Sequence, residues 1–139
     1  MFSLGESTHD RVEVTVSGYE RQPSGNYDDD NWLNVEVSVA AGGFRGKFEA
    51  SFVTTELIGF RDEIATLYRN LSGEAKLVTL ETQLSLTLTG NGRGGIALRG
   101  EAWDQPGIGN RLEFKLNLDQ TYLAKTLEEL NAVVERFPV

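Results

Sequence analysis

The chain has 139 residues, enough for one domain that buries roughly two-thirds of its unfolded surface. It carries 13 basic and 21 acidic side chains, a net charge of −8, so phosphates repel it and nucleic acid is not an expected ligand, whereas a basic protein is attracted. There is no cysteine for a disulfide or a thiolate metal site, and no apolar run near the roughly twenty residues of a membrane span. No membrane ligand and a cytoplasmic location are therefore expected.

Residues 1 to 10 read as a loose, dispensable lead-in, without the basic flank and apolar core of a secretory signal. Val12, Val14 and Val16 alternate with Glu13 and Thr15, a first strand. Gly18 to Asn31, with Pro23, Gly25 and Asp28-Asp29-Asp30-Asn31, reads as a loop. Leu33, Val35, Val37 and Val39 alternate with Asn34, Glu36 and Ser38, a second strand. Ala41-Gly42-Gly43 turns the chain. Phe44, Phe48, Ala50 and Phe52 then share one face of a third strand. A helix follows, with Thr54 or Thr55 at its start and Glu56 in its first turn. Its apolar stripe is Leu57, Phe60, Ile64, Leu67, Tyr68 and Leu71, and Ser72-Gly73 supplies the stop.

Ala75 to Leu80 is a strand of mixed alternation. Leu84, Leu86 and Leu88 alternate with Ser85 and Thr87. Gly90 to Gly95 turns the chain into a strand with Ile96, Leu98 and Ala102 on one face and Arg99, Glu101 and Trp103 on the other. Asp104 to Gly109 loops into the last strand, where Leu112, Phe114, Leu116 and Leu118 alternate with Arg111, Glu113, Lys115 and Asn117. At Asp119 the period changes from two to that of a helix, whose stripe is Leu123, Leu127, Leu130, Val134 and Phe137. Asp119 can accept the free N–H groups of the first helical turn, and Pro138 ends the helix. Clean alternation, tight turns and two amphipathic helices predict an α+β fold. It has two layers, a curved, mainly antiparallel sheet of about seven strands with two helices on one face. The chain forms a single domain, and the order of three strands, helix, four strands, helix hints at a repeated unit.

The candidate chemistry is sparse. Residues 90 to 95 spell G-x-G-x-x-G, but between two strands rather than before a helix, where no helix N-terminus meets a pyrophosphate. Three adjacent aspartates lack the alternating ligand spacing of a calcium loop. His9 is the single histidine, so nucleophilic catalysis lacks a base; Glu101, Asp104 and Glu113 form the remaining acid/base candidate. No catalytic residue, metal or other cofactor is expected. Trp32 and Trp103 are more informative, since each falls on the polar side of its strand. Either loops cover them or they anchor a partner, a role in which tryptophan is enriched. The candidate partner-binding residues are Asp28, Asp29, Asp30, Trp32, Glu101, Trp103 and Asp104.

Several segments taken together resemble the WapI family of bacterial immunity proteins. They are Asp30-Asn31-Trp32-Leu33-Asn34-Val35, Gly43-Phe44-Arg45-Gly46-Lys47-Phe48-Glu49-Ala50, Leu71-Ser72-Gly73-Glu74-Ala75 and Leu84-Ser85-Leu86-Thr87-Leu88. Gly109-Asn110-Arg111-Leu112, Asp119-Gln120-Thr121-Tyr122-Leu123 and Phe137-Pro138-Val139 complete the set. The resemblance covers most of the chain from Val12 onward. It implies a non-enzymatic protein that binds and neutralises the C-terminal domain of a large bacterial toxin, often a nuclease. The acidic balance agrees, because inhibitors of nucleases present carboxylates to basic active sites. A protein- or small-ligand-interaction module using the open sheet face is the alternative, and the oligomeric state is left open.

Overall fold

A computed structural model describes residues 1–5 and 8–139. The α+β expectation holds, and the strands divide into two four-stranded antiparallel meanders. The first sheet runs β1 (Phe2–Leu4), β2 (Asp10–Tyr19), β3 (Trp32–Ala41) and β4 (Phe44–Val53), with the short helix α1 (Tyr27–Asp30) between β2 and β3. Helix α2 (Thr54–Asn70) carries the chain to the second sheet, β5 (Ser72–Val78), β6 (Leu84–Asn91), β7 (Gly95–Gln105) and β8 (Ile108–Asp119). Helix α3 (Gln120–Arg136) follows directly. Period-two alternation shows which face of a strand is dry but not which strand it pairs with, so the division into two sheets left no mark on the pattern.

Each sheet has one dry face. Val12, Val14, Leu33, Val35, Val37, Val39 and Phe52 line the first, and Leu84, Leu86, Leu88, Ile96, Leu98, Phe114 and Leu116 the second. Both faces and the two long helices close over one continuous apolar core. Gly100 lies opposite Phe114, whose ring covers it so closely that a Cβ at Gly100 would overlap the ring edge. Each helix packs on the first strand of the other sheet unit: α2 on β5 and α3 on β1.

The lead-in expectation is corrected by that last contact. Phe2 and Leu4 are fully buried and pair with Val14 and Val12. Ser3 is held by α3: its N–H and Oγ donate to Glu129 Oε1 at 3.0 and 3.1 Å, and its carbonyl accepts from Thr126 Oγ1 at 2.6 Å. A three-residue strand is too short to show a period, so its order comes from tertiary packing. Glu6 and Ser7, within the same expected lead-in, lie outside the described residues.

Three local expectations also change. Asp28-Asp29-Asp30 is one helical turn rather than loop, because Asn26 Oδ1 accepts from the N–H groups of Asp28 and Asp29. The left-handed residue ending α2 is Leu71, at φ 62°, one position before the expected serine–glycine stop. Its N–H donates to Leu67 O at 2.7 Å, and Gly92 N–H donates to its carbonyl. In α3 the buried line is Leu123, Thr126, Leu130 and Val133, so Leu127 and Val134 flank the buried stripe instead of centring it. Asp119 does cap α3, accepting from Thr121 N–H at 2.8 Å.

Candidate functional site

With both helices on the dry faces, the outer face of the second sheet is left open. Strand register sets its side chains in rows. One row reads Lys76, Thr87, Arg99 and Lys115, the next Val78, Ser85, Glu101 and Glu113. Trp103 and Arg111 face each other one step further. An open groove of about 830 Å³ runs here between the β3–β4 turn and strands β6 to β8. Its lining includes Phe44 from the turn and Thr87, Arg99, Glu101, Glu113 and Lys115 from the sheet. Phe44 is 69% exposed.

Trp103 is half-buried and fixed in place. Its indole Nε1 donates to Glu101 Oε1 at 2.7 Å, and the Arg111 guanidinium stacks 5.9 Å from the ring centroid. Arg111 also donates to Glu101 Oε2 at 2.9 Å and to Glu113. Hydrogen bonds from Arg111 and then Trp103 hold the Glu101 carboxyl below the usual carboxylate range. Asp104 accepts from the backbone N–H of Asn110 at 2.7 Å and from its side chain at 3.1 Å. Those bonds, the backbone one first, lower its pKa too and close the β7–β8 turn. Glu101 and Asp104 are thus anions near neutrality, without a proton to give as general acids.

The other expected residues lie elsewhere. Gln83 Nε2 donates to the carbonyls of both Glu49 and Trp103, which places that part of β4 beside Trp103. Trp32 pairs with Val53, four residues further along β4, roughly 13 Å away at strand rise. Asn31 anchors it. This buried side chain donates to Tyr27 O at 2.8 Å and accepts from Thr54 Oγ1 at 3.2 Å, tying α1 to the start of α2. Asp30 is turned inward on its own loop, accepting from Ser24 Oγ, Ser24 N–H and Gly25 N–H at 2.7 to 2.8 Å. The Ser24 hydroxyl, then its backbone, lowers the Asp30 pKa most. Among the described residues Asp28 and Asp29 accept no such bonds; Asp29 meets Arg21 at 3.8 Å. The seven expected residues therefore form two patches, one at each sheet, with Asp30 and Asp104 occupied in holding turns.

Phe44, Arg99 and Lys115 escaped the sequence reading. Phe44 shares parity with Phe48, Ala50 and Phe52, but at the hairpin tip that parity points beyond the core. Arg99 and Lys115 looked like ordinary solvated positions until register set them side by side. The glycine run stands as expected between β6 and β7. Asn91 Oδ1 accepts from the N–H groups of Arg93 and Gly95 there, and Gly92 N–H donates to Leu71 O, so three of the run's donors are already engaged within the fold. Among the described residues no cluster of His, Cys, Asp or Glu has metal-ligand geometry, and no helix is long and apolar enough to cross a membrane.

No curated protein matches the chain. The model of the immunity protein WapI-like family matches residues 3–138, which takes in both sheets, all three helices and nearly the whole of β1. The chain belongs to the immunity protein WapI-like family.

Proposed function

We propose that this protein binds and neutralises a cognate toxin's C-terminal domain, a basic domain of nuclease type, by occlusion and without catalysis of its own. The observation that carries the reading is the family match across residues 3–138. The net charge of −8 supports the basic partner. In this reading the open face of the second sheet makes the contact, with Trp103 as anchor and Phe44 at the groove lip; Glu101 braces the indole, and Asp104 shapes the adjoining turn. The Asp28, Asp29 and Trp32 patch lies apart, where exposed charge acts through long-range attraction. The groove's volume favours one alternative on the same face, a small-ligand or peptide module without a toxin.

The test is co-expression with, and surface-binding kinetics against, the variable C-terminal domain encoded beside this chain's gene. The expected result is rescue of growth and tight binding. Asp28→Asn with Asp29→Asn slows association and flattens its salt dependence while dissociation stays near the parent's. Trp103→Ala speeds dissociation about tenfold or more, as for a hot spot of about 2 kcal/mol. Folded variants that bind like the parent remove this face from the interface, and absence of protection removes the immunity reading.

A further inference from the structure

We infer that the row Lys76, Thr87, Arg99 and Lys115 on the outer face of the second sheet is a carboxylate-binding site that receives an acidic segment of a protein partner. The row spans all four strands: Lys76 pairs with Thr87, Thr87 with Arg99, and Arg99 with Lys115. Arg99 and Lys115 are directly opposed, an arrangement that costs stability in an antiparallel pair. The neighbouring row solves the same problem internally, since Arg111 bridges the opposed Glu101 and Glu113. No carboxylate does this for Lys76, Arg99 or Lys115, none of which forms an ion pair among the described residues. Three exposed cations and the half-buried Thr87 hydroxyl thus stand together, with Thr87, Arg99 and Lys115 in the groove.

The chemistry selects among anions. A guanidinium beside an ammonium and a hydroxyl can grip one carboxylate by several charge-assisted bonds. A polyphosphate chain is repelled at long range by the net charge of −8 and close by through Glu101 and Glu113, which lie two residues along the strands, roughly 7 Å away. An acidic peptide meets the same long-range repulsion, but its carboxylates are single charges spaced along a backbone, so one can enter the row while its neighbours face away from Glu101 and Glu113. The inference deepens the proposed toxin binding by giving the partner surface an acidic stretch beside its basic one, and depends on that reading only for who the partner is.

The test is an NMR titration of the full chain with hexaglutamate, with hexalysine and inorganic phosphate as separate arms. Hexaglutamate is expected to shift the amides of Lys76, Thr87, Arg99 and Lys115, with a millimolar affinity that weakens as salt is raised. Arg99→Gln and Lys115→Gln, each at an exposed position, are expected to weaken it several-fold with a melting temperature equal to or slightly above the parent's, since each relieves the opposed cations. Absence of these shifts, shifts centred elsewhere, the same shifts from hexalysine, or phosphate binding as tight as the peptide's overturns the inference. Because no toxin is in the tube, the two readings fail separately. Hexaglutamate binding without toxin binding leaves this site standing alone, and toxin binding without hexaglutamate binding removes only this site.

Discussion

Two carboxylates at helix starts behave oppositely because their surroundings differ. Glu56 accepts from Val53 N–H at 2.7 Å and from Leu80 N–H, yet burial outweighs those bonds and raises its pKa. Asp119 is exposed, and the Thr121 N–H and hydroxyl lower its pKa. The signs follow from linkage. At Glu56 the folded state holds its proton more tightly than the unfolded chain does. Its contribution is full below the unfolded pKa and is lost as pH rises through the raised folded value. At Asp119 the contribution is full above the unfolded pKa and is lost as pH falls through the lowered one. Urea melts between pH 3 and 7 should therefore show the parent losing stability relative to Glu56→Gln as pH climbs out of the ordinary carboxylate range. Relative to Asp119→Asn it should gain over the acid part of the same range. A constant difference at either position contradicts the assignment there.

Among the elements, α3 shows how a stripe read from sequence and a buried face differ by a small rotation. Leu130 is fully buried, whereas Leu127 is only half-buried. Leu130→Ala should cost about 3 kcal/mol and Leu127→Ala roughly 1 kcal/mol, measured by denaturant unfolding. Equal costs would contradict this rotation, and a larger cost at Leu127 would mean that the helix sits on its 127 side. The rotation was illegible because Thr126 lies in the buried line. Its hydroxyl meets Ser3 O and Tyr122 O, so a polar residue occupies what periodicity assigns to an apolar one. The strands were more legible. Val12 to Val16, Leu33 to Val39 and Leu84 to Leu88 alternate as read, and the turns at 41–43 and 92–94 fall where glycine marks them. The site was legible only in part. Parity sets Trp103 on the same face as Arg99 and Glu101, and Glu101 separately groups with Asp104 and Glu113. Joining them to Phe44 required knowing that the β3–β4 turn faces strands β6 to β8, which nothing local encodes.

The whole molecule is two units of four strands and a 17-residue helix, each helix serving the other unit's first strand. The repeat hinted at by element order is thus present in architecture, completed by the N-terminal strand that a period could not reveal. Residues 1–5 are half of one such exchange, so their removal should uncover the β2 edge and the Ser3-facing side of α3. A chain starting at Thr8 should melt well below the parent or lose cooperativity, by calorimetry. A truncated chain with the parent's melting curve would mean that β1 adds nothing. The residue that follows this strand is sensitive too: Gly5 stands at φ 98°, and a Cβ there would overlap Asp10 O.

Among the described residues all sheet pairing joins strands adjacent in sequence, whereas the contacts of β1 with α3 join residues as far apart as Ser3 and Glu129. On the ribosome, then, both meanders can zip up as they emerge, since hairpins need only short loops to close. The outer packing of β1, against α3, must wait for that helix. Until α3 has been made and packs on β1, the newborn chain carries an unroofed apolar surface, and under the proposed function any protection begins only once that helix is in place.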